Sequence, residues 1–241
     1  MDFALLFVLG VAAFAFSTIA GGGGALLLGA TAHHITGVER IVQVVHLTNF
    51  IGRPTRMLLF WKHVRWETVV WFVPAAWIGS WLGVRLFVEI EAEWLRLVLG
   101  GFLLTTPFQF RFGKSRRSFH MPLWGFAPLG LVVAATSSLV GATGAVLNVF
   151  YFNYGLTKEH LVGTKAVNSF LVSIVQLSAY LYYGAWDEHI WGYGLALGCG
   201  AILGNVLGKR WLKRFSNVGF QRLALAVMVI SGVLLIVGYF R

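Results

Sequence analysis

Long apolar stretches alternate with short polar ones along the whole chain. A helix needs about 20 predominantly apolar residues to cross a bilayer, and most of these stretches reach or approach that length. We therefore predict an all-α integral membrane protein with about eight hydrophobic segments. The predicted segments cover residues 3–36, 39–60, 67–88, 94–111, 123–155, 158–183, 189–208 and 218–240.

The first four segments and the last four share one pattern, which indicates an internal repeat. Shifting one half by about 120 residues superposes identical residues in the other half. The superposed pairs include Gly21 with Gly141, Gly24 with Gly144, Glu39 with Glu159 and Phe50 with Phe170. We predict that residues 1–111 form repeat one, residues 112–122 a basic connector and residues 123–241 repeat two.

The charges of the loops predict that the two repeats have opposite orientations in the membrane. A basic loop of repeat one corresponds to an acidic loop of repeat two, and the next pair of loops reverses the signs. Because basic loops face the cytoplasm, this alternation requires inverted repeats. The predicted cytoplasmic loops lie near Arg65, Lys114 and Arg210. The loops near Glu91 and Glu188, and both termini, are predicted to lie outside.

An inverted repeat needs an odd number of crossings, yet each repeat has four segments. The glycine-rich first segment of each repeat is therefore predicted to be broken or re-entrant, so that it enters and leaves by the same face. The breaks are expected at residues 21–24 and 141–144. The alternative is that these glycines only allow helices to cross closely.

The composition excludes several other classes of protein. Hydrophobic residues make up 58% of the chain and charged residues 12%, so no soluble domain fits beside eight segments. The net charge of +10 fits cytoplasmic loops against anionic lipid better than nucleic acid. Cys199 is the single cysteine, and the seven histidines lack a metal-ligand spacing. We expect the bilayer and a small solute as partners, with no cofactor or metal.

Each broken segment is predicted to start a helix inside the membrane. The free N–H groups and the positive dipole end of such a helix favour an anion. The residues expected to bind there are Gly23, Gly24 and Ala25 in repeat one, and Thr143, Gly144 and Ala145 in repeat two.

Two polar stripes are predicted to complete the site. The second segment contributes His46, Thr48, Asn49 and Arg53, and the sixth contributes Thr164, Lys165, Asn168 and Gln176. Arg53 is expected to face a cavity, whereas the shallower Arg56 is expected to extend to the membrane interface. All nine acidic residues lie near predicted segment ends, so the buried charge is expected to be positive and the bound solute an anion.

Several motifs resemble the TauE/SafE sulfite exporter family. They are AGGGGALLLG at 20–29, LVGATGAVLNV at 139–149, LTKEHLVGTKAVN at 156–168, and the spaced pairs Gly79/Gly83 and Gly200/Gly204. The resemblance implies two four-segment repeats that move sulfur-containing anions such as sulfite, thiosulfate and organosulfonates. The chain departs from the family pattern where prolines often follow the glycine runs, and it has Val44 where repeat two has Thr164.

We therefore predict a membrane transporter, not an enzyme, that moves a small sulfur-containing anion by alternating access. Arg53 and Lys165 would compensate the charge of the anion, and the other stripe residues would donate hydrogen bonds. Two alternatives remain at this point. One is a transporter of another small anion such as a carboxylate, and the other is a membrane enzyme or assembly factor that uses His33, His34 and His46.

Overall fold

The computed structural model describes residues 2–37, 40–89, 94–105, 119–140 and 143–240. Within these ranges the chain forms ten α-helices and no strand. The helices are α1 (Asp2–Ile19), α2 (Gly24–Thr36), α3 (Ile41–Phe60), α4 (Trp66–Glu89), α5 (Trp94–Leu104), α6 (Phe126–Val140), α7 (Gly144–Tyr154), α8 (Lys158–Tyr182), α9 (His189–Leu212) and α10 (Asn217–Tyr239). Single 3-10 turns, Trp61–His63 and Leu123–Gly125, precede α4 and α6.

The first and fifth predicted segments are both broken. In the first break Gly21 has a φ of 68° and Gly23 a φ of 87°. This left-handed backbone is open to glycine at little steric cost, which explains why α1 ends and α2 starts at the glycine run. The second break separates α6 from α7, and residues 141–142 within it lie outside the described ranges.

Five helical stretches are long and apolar enough to cross a membrane. They are Trp66–Glu89, Leu123–Val140, Lys158–Tyr182, His189–Leu212 and Asn217–Tyr239, and Phe3–Ile19 forms a shorter apolar helix. Large apolar side chains such as Trp71, Ile78 and Ile230 are exposed on the outer surface, as expected where lipid replaces water. The protein is a multi-pass membrane protein.

The helices that follow the two breaks are short. α2 has 13 residues and α7 has 11. At 1.5 Å per residue they measure about 20 Å and about 16 Å, against a hydrocarbon core of about 30 Å. Neither helix is long enough to cross a bilayer by itself.

α1 and α9 pack side by side through glycines and run in the same direction. A methyl group on Gly200 would collide with the carbonyl of Phe7, and one on Gly204 with the carbonyl of Val11. From the first contact to the second, the residue numbers increase in both helices, so the helices are parallel. The missing side chains allow this close backbone approach.

α4 and α6 repeat this arrangement. A methyl group on Gly79 would collide with the carbonyl of Leu131, and one on Gly83 with the carbonyl of Ala135. These two helices are also parallel. The two spaced glycine pairs, Gly79/Gly83 and Gly200/Gly204, therefore make the same kind of contact with a parallel helix.

α3 and α8 cross at the centre of the bundle and run in opposite directions. The rings of Phe50 and Phe170 stack with their centroids 5.5 Å apart. Further along, the His160 ring nitrogen Nδ1 lies 2.9 Å from the carbonyl oxygen of His63. Residue numbers therefore rise along one helix while they fall along the other, so the two helices are antiparallel.

The bundle has two ends, which we call the Arg40 end and the Lys209 end. At the Arg40 end, α3 and α9 both begin, and Arg40 pairs with Asp187 at 3.0 Å. The amide and ring of His189, followed by Arg40, lower the pKa of the Asp187 carboxyl to about 2. The ring of Phe3, near the start of α1, contacts Tyr193 at this same end.

At the Lys209 end, α3 and α9 both finish, and Lys209 donates from Nζ to the Leu59 carbonyl at 2.7 Å. The start of α6 and the end of α7 also meet here, where the rings of Phe126 and Tyr154 lie 5.2 Å apart. The Tyr154 hydroxyl is 3.5 Å from the Glu67 carboxylate at the start of α4. The two broken units therefore belong to opposite ends of the bundle.

The small-residue contacts generate a prediction about stability. Gly83→Ala and Gly204→Ala should each lower the free energy of unfolding by about 1–3 kcal/mol, because the added methyl overpacks against backbone that cannot yield. The midpoint of thermal unfolding in detergent measures this loss. Gly101→Ala is the matched control, since no atom lies within 4 Å of an added methyl there. Equal stability of all three variants would contradict the packing role.

Candidate functional site

A cavity lies between the two glycine breaks and the facing sides of α3 and α8. It encloses about 950 Å³, counted with the open space at its mouth. Most residues predicted from the sequence for the site line this cavity. They are Gly23, Gly24, His46, Asn49, Arg53, Thr143, Gly144, Ala145, Lys165 and Gln176. The fold thus gathers residues from four separate parts of the chain at one place.

Two predicted residues use their hydroxyl groups elsewhere. The Thr48 hydroxyl donates to the Val44 carbonyl at 2.8 Å, one turn earlier in α3. The Thr164 hydroxyl accepts the amide of Arg65 at 3.0 Å. Because Arg65 immediately precedes α4, this bond joins the start of α4 to α8. Neither threonine belongs to the cavity lining.

Asn168 is buried behind the cavity wall. Its side-chain amide donates to the hydroxyl of Tyr151 in α7, and its Oδ1 has no hydrogen-bond partner. The amide therefore joins α7 to α8 behind the site. Ala25 lies in the first turn of α2, and its side chain lies outside what the structure describes.

The first turns of α2 and α7 present backbone donors at the cavity. Their earliest hydrogen bonds run from the Leu27 amide to the Gly23 carbonyl and from the Val146 amide to the Thr143 carbonyl, both at 3.0 Å. The amides before them have no acceptor in their own helix, because a helix start leaves such groups unpaired. These amides include those of Gly24 and Ala25 in α2 and those of Gly144 and Ala145 in α7.

Lys165 joins the two glycine breaks. Its Nζ donates to the carbonyls of Gly21 and Gly144 and to the Asn148 side chain, each at 2.5 Å. An ammonium group has three donors, so all of them are used within the protein. The sequence predicts that this charge faces the substrate. The structure shows that it links the end of α1 to α7 and α8.

The breaks supply the acceptors that a buried ammonium needs. Gly21 follows the end of α1, where carbonyls have no helical partner and the dipole favours a cation. A lysine in the middle of an unbroken bundle would be costly without such partners. The glycine runs and Lys165 therefore stabilise one another.

The prediction that Arg56 extends to the membrane interface is wrong. Its guanidinium turns inward and donates to Asn205 at 2.9 Å, to the Phe14 carbonyl at 3.3 Å and to the Ser17 hydroxyl at 3.5 Å. It also lines the cavity. Arg56 thus connects α3 to α1 and α9. Sequence reasoning missed this role because its main partner, Asn205, gives no signal of its own in a glycine-rich segment.

Arg53 differs from the other two cations because its guanidinium makes no hydrogen bond or ion pair with any residue that the structure describes. Its Nε is buried and unpartnered. Arg56, Lys165 and His46 are all close enough to interact with it electrostatically. No acid occurs among the described lining residues. A buried charge without a partner is costly, so this arrangement favours a bound anion.

Neutral polar side chains line the cavity together with Arg53. Asn49 lies one turn away on the same face of α3, and its amide forms no hydrogen bond with the described residues. His46 lies 3.1 Å from the Ser137 carbonyl through Nε2, which must carry the proton because a carbonyl only accepts. Gln176 donates to the Ser138 hydroxyl at 3.0 Å. Of these three side chains, Asn49 is the one left available to a ligand.

The two glycines at the helix starts have different surroundings. A methyl on Gly144 would meet no atom within 4 Å and would point into open space. A methyl on Gly23 would lie 2.5 Å from Val227 in α10, at a positive φ that already disfavours a side chain. Gly144 therefore borders open cavity, whereas Gly23 is confined by packing.

The apolar helices and the lining of the cavity together define an integral membrane protein with a polar cavity inside its helix bundle. A family model described as Sulfite exporter TauE/SafE matches residues 6–235. The chain belongs to this family, as its glycine motifs indicate, and membership indicates a membrane transporter. No curated protein and no solved structure matches the chain.

The link made by Lys165 can be tested by hydrogen exchange. Lys165→Met should leave two carbonyls and the Asn148 side chain without their donor, at a cost of at least about 1.5–3 kcal/mol for the loss of charged hydrogen bonds. Amides of both breaks, in residues 21–27 and 143–148, should then lose protection together in mass spectrometry. Lys213→Met, at an exposed position, is the control. Loss of protection at only one break would contradict the link.

Proposed function

We propose that this protein transports a small sulfur-containing anion, such as sulfite, thiosulfate or an organosulfonate, by alternating access. The observation that carries the proposal is the unpaired Arg53 guanidinium in a cavity that also holds Arg56 and Lys165. Membership of a sulfite exporter family supports the sulfur chemistry.

The donors of the cavity suit an oxyanion. A guanidinium offers parallel N–H groups to two oxygens of a carboxylate, sulfonate or sulfite at once. Asn49 adds a neutral donor one turn away, and the start of α7 at Gly144 adds backbone amides beside open space. An anion with three oxygens would use Arg53, Asn49 and the α7 amides together, whereas a carboxylate has only two oxygens to share among them.

We propose further that the chain consists of two inverted four-segment repeats. Exchanging equivalent helices of the repeats converts the α1–α9 pair into the α6–α4 pair, and both pairs are packed in parallel through glycines. The same exchange maps the α3–α8 and α5–α10 pairs onto themselves. The stacked Phe50 and Phe170 are equivalent residues, as expected for side chains on a two-fold axis.

In this proposal each broken unit enters and leaves by one face. α1 and α3 begin at the Arg40 end, while α6 begins and α7 finishes at the Lys209 end. The Lys209 end carries Lys62, Arg65, Lys209 and Arg210, so the positive-inside rule makes it the cytoplasmic end. Rocking of one repeat against the other would open the shared cavity to each side in turn.

The role of Arg53 can be measured by binding. Arg53→Gln should weaken the affinity for thiosulfate about tenfold to hundredfold, because a hydrogen bond to a charged group contributes about 1.5–3 kcal/mol. The melting temperature should stay unchanged or rise, since Arg53 has no protein acceptor to lose. Calorimetric titration and thermal unfolding in detergent provide the two measurements.

Two matched variants complete this experiment. Arg222→Gln, at an exposed position on α10, should alter neither quantity, whereas Arg56→Gln should lower stability because its bonds to α1 and α9 are lost. Titration with sulfite, a sulfonate and simple carboxylates identifies the anion class. An unchanged dissociation constant for Arg53→Gln would remove this residue from the site.

The topology can be tested with single cysteines. After replacement of the exposed Cys199, a cysteine at Asp187 should react with an impermeant reagent from outside the cell, and a cysteine at Lys62 should react only from the cytoplasmic side. Labelling in intact cells and in inverted vesicles measures this difference. Reaction of both cysteines from the same side would refute the inverted arrangement.

A further inference from the structure

Alternating access requires a state in which the cavity is closed to both sides of the membrane. Closure removes the water that solvates charged groups when the cavity is open. The cost of closure then depends on which cavity charges keep an acceptor in the protein.

Lys165 and Arg56 keep their acceptors when the cavity is empty. Lys165 is bonded to two carbonyls and to Asn148, and Arg56 to Asn205, with Phe14 and Ser17 close by. Their partners are neutral, so the positive charge of both groups remains. Both charges act on the third cation of the cavity.

Arg53 keeps no acceptor. It has no hydrogen bond with the described residues, its Nε is already buried, and Arg56 lies one turn away on the same helix. An empty closed cavity would thus hold an unpaired guanidinium beside two other cations, which is the costly case for a buried charge. A bound anion supplies both the acceptor and the opposite charge.

We infer that this protein exchanges anions across the membrane, because the cavity closes readily only when an anion occupies it. The inference rests on the proposed function. A carrier of this kind returns across the membrane with a second anion bound, so the influx of one anion is coupled to the efflux of another. Net release of an anion without replacement is correspondingly slow.

Reconstituted vesicles test the coupling directly. The purified protein is placed in liposomes with equal potassium on both sides and valinomycin, so that no membrane voltage opposes net charge movement. The interior contains thiosulfate, chloride or the impermeant polyanion dextran sulfate, and the initial uptake of radiolabelled thiosulfate is measured. Internal thiosulfate should raise uptake at least about tenfold over dextran sulfate, a difference of about 1.4 kcal/mol in the barrier.

The outcomes separate the inference from the function on which it rests. Equal uptake with thiosulfate and with dextran sulfate inside would overturn exchange while leaving anion transport intact. Stimulation by internal chloride as well would support exchange and add chloride as a counter-anion. Absence of both binding and uptake for every anion in the panel would overturn the proposed function, and exchange with it.

Arg53→Gln tests whether this residue imposes the coupling. At saturating thiosulfate, where weakened binding no longer limits uptake, the ratio of exchange to net uptake should fall towards one, because the empty cavity no longer holds the unpaired charge. Arg222→Gln should keep the ratio of the unaltered protein. A tenfold ratio that persists in Arg53→Gln would overturn the assignment to Arg53.

Discussion

The hydrogen bonds from Lys165 to the two glycine breaks are the contact on which the site depends. The last carbonyls of a helix have no partner within that helix, and a buried carbonyl without a donor is costly. Lys165 donates to the carbonyl of Gly21, just after α1, and to the carbonyl of Gly144, in the first turn of α7, and these acceptors make a buried ammonium tolerable. The same contact fixes the starts of α2 and α7 relative to one another, so it also sets the positions of the backbone donors that face the cavity.

The three cations of the cavity differ in whether the protein supplies hydrogen-bond acceptors for them. Lys165 joins the breaks, and Arg56 connects α3 to α1 and α9. A buried cation without an acceptor costs free energy, and the protein supplies acceptors for both Lys165 and Arg56. Arg53 receives the electrostatic effect of both neighbours without an acceptor of its own. In the proposed function, the two bonded cations hold the positive potential of the cavity in place, and the third, Arg53, binds the anion.

The fold was largely predictable because its signals are local. Apolar run length located the long helices to within a few residues, and the glycine run located the first break, since left-handed backbone at Gly21 and Gly23 is a property of those residues themselves. The face of α3 that lines the cavity could also be predicted, because His46, Asn49 and Arg53 follow the spacing of one helix face.

The partners of the polar side chains were not predictable, since they depend on which distant helices meet. Nothing in the sequence says that Asn205 will accept from Arg56 or that Thr164 will accept the amide of Arg65. Helical spacing identified Thr48 as a polar residue, yet its hydroxyl bonds within its own helix. Spacing therefore finds the face that a residue occupies, whereas the choice between ligand and structural partner is made by tertiary contacts.

The proposed repeats place residues of different chemistry at equivalent positions of the cavity. The repeat alignment pairs Lys165 with Val45 and Arg53 with Ser173, so each charge has an uncharged counterpart in the other repeat. The glycines at the helix starts differ in the same way, because Gly144 borders open space while Gly23 is packed against α10. In the proposed inverted repeat, similar helix movements would open the cavity to each side of the membrane. Among the residues that the structure describes, the cavity has one cation without an acceptor, Arg53 on α3, and one helix start beside open space, on α7. In the proposed function, a single anion would bind between these two.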